Sequence, residues 1–171
     1  MTLKKIIAFL GLCIGCFALC GCGDLGTGVN YLMTGNTGSQ QSSSGSDYRS
    51  MAYQDATNAG IPSDLYVKQI NEESGFDPSA VSSAGAVGIA QIIPSTAQSW
   101  GVDPTDPVAS LKVAADHMHW YYAHYGYDYA KALGCYNAGC GSVDSAVSYY
   151  GSSWRDHVPA ETQHYIAAIM G

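Results

Sequence analysis

A mainly α-helical fold is what this 171-residue chain predicts, and three observations predict it. Core-seeking residues recur at helical spacing in two stretches: Tyr66, Ile70 and Glu73, and later Leu111, Ala115, Met118, Tyr122 and Tyr125. The alternation that marks a half-buried strand is nearly absent. Proline and glycine stand at the ends of the periodic stretches, as with Pro62 and Gly75 around the first of them.

The elements follow in chain order. Residues 1–21 read as a targeting segment, in which Lys4 and Lys5 precede an apolar run from Ile6 to Leu19 that is short for a membrane span. Leu19-Cys20-Gly21-Cys22 resembles the lipobox of bacterial lipoproteins, which implies that Cys22 becomes the lipidated first residue of the mature chain. Plain secretion with cleavage nearby, or an uncleaved anchor, are the alternatives. Residues 22–50 are rich in Gly, Ser, Thr, Asn and Gln, with a low-complexity run at 40–46, and read as a flexible tether. About 120 residues remain, 51–171, enough for one domain with one core.

Without the targeting segment, five basic residues face fourteen acids, a formal charge of −9. That balance argues against nucleic acid and anionic lipid as electrostatic partners. A glycan held by hydrogen bonds and aromatic faces suits the 12% of charged residues and the thirteen tyrosines better than a polyanion does.

Within the domain, Met51 to Asn58 predicts a short helix ending near Gly60. The helix from Pro62 to Gly75 carries the most informative residue. Glu73 shares a stripe with Tyr66 and Ile70, whereas Glu72 stands four residues after Lys68 on the solvated face. A carboxyl group in the last turn of a helix, partly desolvated and near the negative end of the dipole, is disfavoured as an anion, so its pKa is expected to rise. A proton held near neutral pH makes a general acid. An ordinary boundary residue reaching out to water is the other reading of the same position.

From Asp77 to Gly88 the chain has little bulk, so a polymer can approach the backbone, and Gln91 is the polar exception in the apolar run Ile89 to Ile93. An amide there suits a sugar hydroxyl or N-acetyl group, or equally a loop carbonyl. Pro94 opens a helix that Trp100-Gly101 closes, and Asp106 is the expected cap of the next, from Val108 to Tyr125. His117, His119 and His124 lie on that helix, but 117 and 119 point roughly 200° apart and 117 and 124 sit about 10 Å apart along the axis, so neither pair clasps one metal ion. A helix from Tyr129 delivers Cys135 to Gly141. The last helix, Ala160 to Met170, puts Glu161 and Tyr165 on one face.

Four ordered blocks carry a resemblance. Glu73-Ser74-Gly75-Phe76, the run from Ala80 to Ala97 with Gly88-Ile89-Ala90-Gln91 at its centre, Tyr136-Asn137-Ala138-Gly139, and Pro159 to Tyr165 together resemble the soluble lytic transglycosylases, relatives of goose-type lysozyme. The resemblance covers roughly residues 51–171 and implies a lysozyme-like helical domain with a glycan-binding cleft. It implies Glu73 as the acid and then the base, Ser82, Gln91, Tyr136 and Asn137 as glycan contacts, Glu161 and Tyr165 supporting them, and no cofactor. In that family one Glu protonates the oxygen between N-acetylmuramic acid and N-acetylglucosamine, the substrate's N-acetyl group assists, and the sugar's own 6-hydroxyl closes a 1,6-anhydro ring. A hydrolytic muramidase on the same fold and a non-catalytic wall-binding lipoprotein are the alternatives. The implied setting is the cell envelope, with the membrane reached through the lipid and a wall-spanning secretion or conjugation apparatus as a further partner.

The chain departs from the family at Cys135 and Cys140, where a small residue and a proline are usual. Cys13, Cys16 and Cys20 leave with the targeting segment and Cys22 takes lipid, so these two are the remaining thiols of an exported chain. A Cys135–Cys140 disulfide that stiffens the cleft loop is expected, with two buried thiols as the alternative.

Overall fold

The computed structural model describes residues 45–171. The targeting segment, Cys22 and most of the expected tether lie outside the described residues. Seven α-helices and one 3-10 segment follow one another: α1 Gly45–Ala59, α2 Ser63–Ser74, α3 Pro94–Trp100, α4 Pro107–His124, α5 Tyr129–Ala138, α6 Cys140–Tyr150, the 3-10 segment Gly151–His157, and α7 Ala160–Met170. The mainly α-helical expectation holds. Extended pairing among the described residues is limited to two isolated antiparallel bridges, Val81 with Val87 and Val87 with Ile92.

The first helix corrects one boundary. It begins at Gly45, so part of the stretch read as tether is helical. The reason is Tyr48, which starts a stripe continued by Ala52 and Ala56, all buried against α2 and α4. Serine and glycine around it hide that stripe from composition.

Helix α2 is the centre of the molecule. Pro62 stands just outside it as the N-cap, and its carbonyl takes the first helical bond from the Tyr66 N–H at 3.0 Å. The far end stops at Gly75, which adopts the left-handed conformation (φ 66°) and returns its N–H to the Asn71 carbonyl. Phe76 is left-handed as well, a conformation that costs a non-glycine residue roughly 1–2 kcal/mol. Burial of its ring offsets that cost, with the Arg49 guanidinium 4.6 Å above it. Two successive left-handed residues turn the chain sharply, beginning two residues after Glu73.

The segment from Asp77 to Ile93 is compact rather than open. Val87 and Ile92 exchange both backbone bonds at 3.1 Å, and the Gly88 N–H reaches the Ala80 carbonyl at 2.8 Å. Gly88 has φ +76°, and a Cβ there would stand 2.0 Å from the Pro104 carbonyl oxygen. The loop is therefore pressed against the turn before α4. That turn is fixed in its own right: Asp106 caps α4, accepting from the N–H groups of Val108 and Ala109. Along α4, Leu111, Ala115 and Met118 are fully buried, and Tyr122 and Tyr125 are partly so, as the helical spacing predicts. Helix α7 closes the structure, packing on α2 and α5.

Gly88→Ala should lose more than about 3 kcal/mol, because both the contact with Pro104 and the positive φ oppose a side chain. Gly141→Ala, in the first turn of α6 with open space around it, should instead gain up to about 1 kcal/mol. Urea unfolding of both variants checks the pair.

Candidate active site

The three turns of α2 each send one polar side chain into the protein. Tyr66 donates its hydroxyl to the Leu111 carbonyl of α4 at 2.6 Å. One turn on, Gln69 is fully buried, and its Oε1 accepts from the Tyr129 hydroxyl of α5 at 3.2 Å. One turn further, Glu73 is buried with only 7% of its surface exposed, and its Oε1 accepts a short hydrogen bond from the Tyr165 hydroxyl of α7. Ser74, next along, donates to the Ile89 carbonyl at 2.7 Å and ties the helix end to the loop. Glu73 is thus held from below by α7 and walled by the loop.

Electrostatics follow from that packing. Burial pushes the Tyr165 phenol well above its ordinary value of 10.0, and the adjacent Glu73 carboxyl adds to the push. Tyr136 is raised well above 10.0 for the same two reasons, in the same order. Both phenols therefore stay protonated and act as donors at any physiological pH. Tyr165 donates a hydrogen bond to Glu73, and Tyr136 donates one to the Ala90 carbonyl at 2.8 Å, which fixes the loop.

The other expected contacts divide by what their side chains already hold. Gln91 sits at φ +49°, and its Nε2 donates to the Gly88 carbonyl at 2.9 Å and the Ala80 carbonyl at 3.1 Å. It does the loop-holding that its residue type left open. Ser82 accepts through Oγ from the Ala86 N–H at 3.0 Å, so its hydroxyl also shapes the loop. Asn137 is buried and accepts from Thr162 of α7 at 2.8 Å, while its Nδ2 is buried without a partner. Glu161, beside Thr162, keeps one buried carboxyl oxygen, Oε1, without a partner. A donor and an acceptor left without a protein partner at the α5–α7 junction are costly, about 1–3 kcal/mol each.

Cys135 and Cys140 are joined by a disulfide across the join between α5 and α6, with Cα atoms 4.1 Å apart. It clamps the segment that carries Tyr136 and Asn137. Among the described residues no group of three or more His, Cys, Asp or Glu side chains is placed to hold a metal ion. Two of the three histidines of α4 lie against rings: His117 stacks on Trp100 at 3.8 Å and His124 on Trp120 at 5.3 Å.

Gln69, Tyr129 and Thr162 were not singled out from sequence. Gln69 carried a signal, since it stands on the stripe between Tyr66 and Glu73. Tyr129 and Thr162 carried none, because their partners are 60 and 25 residues away.

The chain belongs to the family described as the transglycosylase SLT domain, which matches residues 50–158. Among curated proteins, the chain is 35% identical over 111 residues to membrane-bound lytic murein transglycosylase D of Escherichia coli K12, and equally to that of a second E. coli strain, O6:H1. The matched part is 57% of this chain and 25% of each relative, so the chain spans about a quarter of their length. Solved structures agree on the fold. The 70-kDa soluble lytic transglycosylase of E. coli superposes with a TM-score of 0.64 at 22% identity, over 72% of this chain and 23% of that one. An inactive variant of the Pseudomonas aeruginosa lytic transglycosylase Slt gives 0.63 at 21%, over 71% and 22%.

Two predictions come from this geometry. Replacing both Cys135 and Cys140 by serine should lower stability by about 2 kcal/mol in urea, the chain-entropy value for so short a loop. The second concerns pH. Burial in the stack with Trp100 holds His117 below its ordinary value of 6.5. The unfolded chain then binds the proton first, so stability falls as pH drops through about 6.5 and the loss ends only below the folded-state value. Thermal melts of His117→Phe between pH 7.5 and 5 should show a flatter pH dependence than the parent.

Proposed function

We propose that the protein is a peptidoglycan lytic transglycosylase that cleaves the β-1,4 bond between N-acetylmuramic acid and N-acetylglucosamine and leaves 1,6-anhydromuramoyl ends. The observation that carries this reading is the buried Glu73 carboxyl held by Tyr165, in a chain of the SLT family. Most glycosidases divide the work between two carboxyl groups. Here Asp77 and Asp103 are exposed and spend one oxygen on turns through Ser79 and Thr105. In this reading one carboxyl group, Glu73, serves twice.

The chain's own groups suit that sequence of steps. With Oε1 bonded to Tyr165, Glu73 exchanges its proton through Oε2. It gives that proton to the glycosidic oxygen as the C1–O bond breaks, and the substrate's N-acetyl group carries the positive charge at C1. It then takes the proton of the 6-hydroxyl as the C1–O6 bond forms, so the catalyst ends as it began and no water is consumed. Packing around Glu73 by the loop, Tyr136 and Tyr165 keeps water from competing. Asn137 and the Gln91 amide oxygen are the hydrogen-bonding groups toward the sugar, with Glu161 and Ser82 in support.

The relatives are named as membrane-bound and act on murein, which supports a cell-envelope setting. Lipidation at Cys22 is the proposed anchor, with residues 22–44 as the tether, and a wall-spanning secretion or conjugation apparatus is the proposed client. No helix among the described residues is long and apolar enough to cross a membrane.

One observation favours a second reading. The unpartnered Oε1 of Glu161 is an acceptor able to activate water, which would make the enzyme a hydrolytic muramidase. Digestion of purified peptidoglycan followed by mass spectrometry of the released sugar ends separates the two. Anhydromuramoyl ends that disappear in Glu73→Gln, with a loss of at least about 100-fold, and that survive in Glu161→Gln support the transglycosylase. Reducing ends that vanish in Glu161→Gln would establish the hydrolase. Tyr165→Phe should keep the product and lower kcat by about tenfold, since it loses one hydrogen bond to the catalytic carboxyl.

A further inference from the structure

An unbroken series of rings leads from the acid to the outside of α4. Tyr136, electrostatically coupled to Glu73, lies 6.2 Å from Trp100, and Trp100 stacks on His117 at 3.8 Å. His117 is 6.4 Å from Tyr121, which meets the edge of Trp120 at 5.5 Å. Trp120 then lies parallel to His124, 5.3 Å away with 9° between the planes, and Tyr125 buttresses His124 at 4.7 Å. Tyr125 is itself fixed by a 2.8 Å bond to Asp144 of α6.

Helical spacing explains the series. His117, Trp120, Tyr121 and His124 stand at i, i+3, i+4 and i+7, a second stripe turned away from the buried one of Leu111, Ala115 and Met118. Nothing in the described chain covers its outer end. Trp120 leaves 57% of its surface in water, and His124 is exposed beside it. A tryptophan so placed contributes little to the core, and its ring is held flat by neighbours that are themselves held.

The chemistry of the stripe limits what it takes. The stripe is made of rings with no aliphatic knob among them, and charges stand only at its margins, Asp116 near His117 and Asp144 on Tyr125. It offers planar, electron-rich faces with polar nitrogens at their edges. Those faces suit the C–H groups on one side of a pyranose ring, and the edge nitrogens suit its hydroxyls. From His117 to His124 the helix rises about 10 Å, the length of a disaccharide. The inner end of the series is Tyr136, which is bonded to the loop at Ala90.

We propose that this face of α4 is an accessory glycan platform. It holds the same peptidoglycan strand that enters the cleft, by stacking of a sugar on the outer face of Trp120, which His124 backs from the other side, outside the site of cleavage. The proposal rests on the reading of the cleft as peptidoglycan-cleaving. It gives the enzyme a preference for long strands over short ones, because a short glycan fills the cleft and never reaches Trp120.

Two measurements test it. In the full chain carrying Glu73→Gln, added Trp120→Ala should weaken co-sedimentation with purified peptidoglycan sacculi about tenfold, and Trp120→Tyr should restore most of the binding. In the otherwise unaltered chain, the ratio of the rate on sacculi to the rate on a soluble tetrasaccharide should fall about tenfold for Trp120→Ala. Binding and rate ratio both within twofold of the parent would overturn the platform. So would a blue shift of Trp120 fluorescence with phosphatidylglycerol vesicles and none with sacculi, which would assign the face to a membrane. Failure of the cleft reading shows separately, as undiminished turnover by Glu73→Gln.

Discussion

The structure depends on one face of one helix. On the inward side of α2, Tyr66, Gln69 and Glu73 each place a polar group where the fold is driest, and each is met by a different part of the chain: α4, α5 and α7. Buried polar groups are costly unless bonded, so each of those helices is located by the need to meet its partner. The glutamate at the end of the stripe is therefore not an addition to a finished scaffold. It is the last rung of the arrangement that holds four helices together.

The loop after α2 obeys the same constraint on a smaller scale. It buries Ile89, Ala90 and Ile92 in the core, and it is braced by hydrogen bonds: Gln91 across to Ala80 and Gly88, Ser82 to Ala86, Ser74 and Tyr136 from the flanking helices to Ile89 and Ala90. Its rigidity comes from polar side chains turned inward, which leaves the outer backbone clear for a polymer. Residues that resemble sugar-binding groups in type thus brace the loop itself.

How much of this was legible follows from sequence distance. The stripe that buries Glu73 was readable because helical periodicity is local, as were the Gly75 stop, the Asp106 cap and the stripe of α4. The start of α1 was not, because Tyr48 stands among serines and glycines whose composition outweighs a single aromatic residue. The link between Tyr165 and Glu73 spans 92 residues, and no periodicity reports a contact of that range. Only the resemblance set those two residues in one site. The inward turn of Gln91 was equally hidden, since an amide of given type reads the same whether its partner is a sugar or a carbonyl.

The disulfide has a consequence for how the chain matures. Cys135 and Cys140 are five residues apart and are the only cysteines between residues 45 and 171. Closing so small a ring needs little search, and the domain contains no other thiol with which either can mispair. Oxidation of the domain therefore has a single product. It needs a supply of oxidising equivalents but no reshuffling, and it can precede the docking of α7 rather than wait for it.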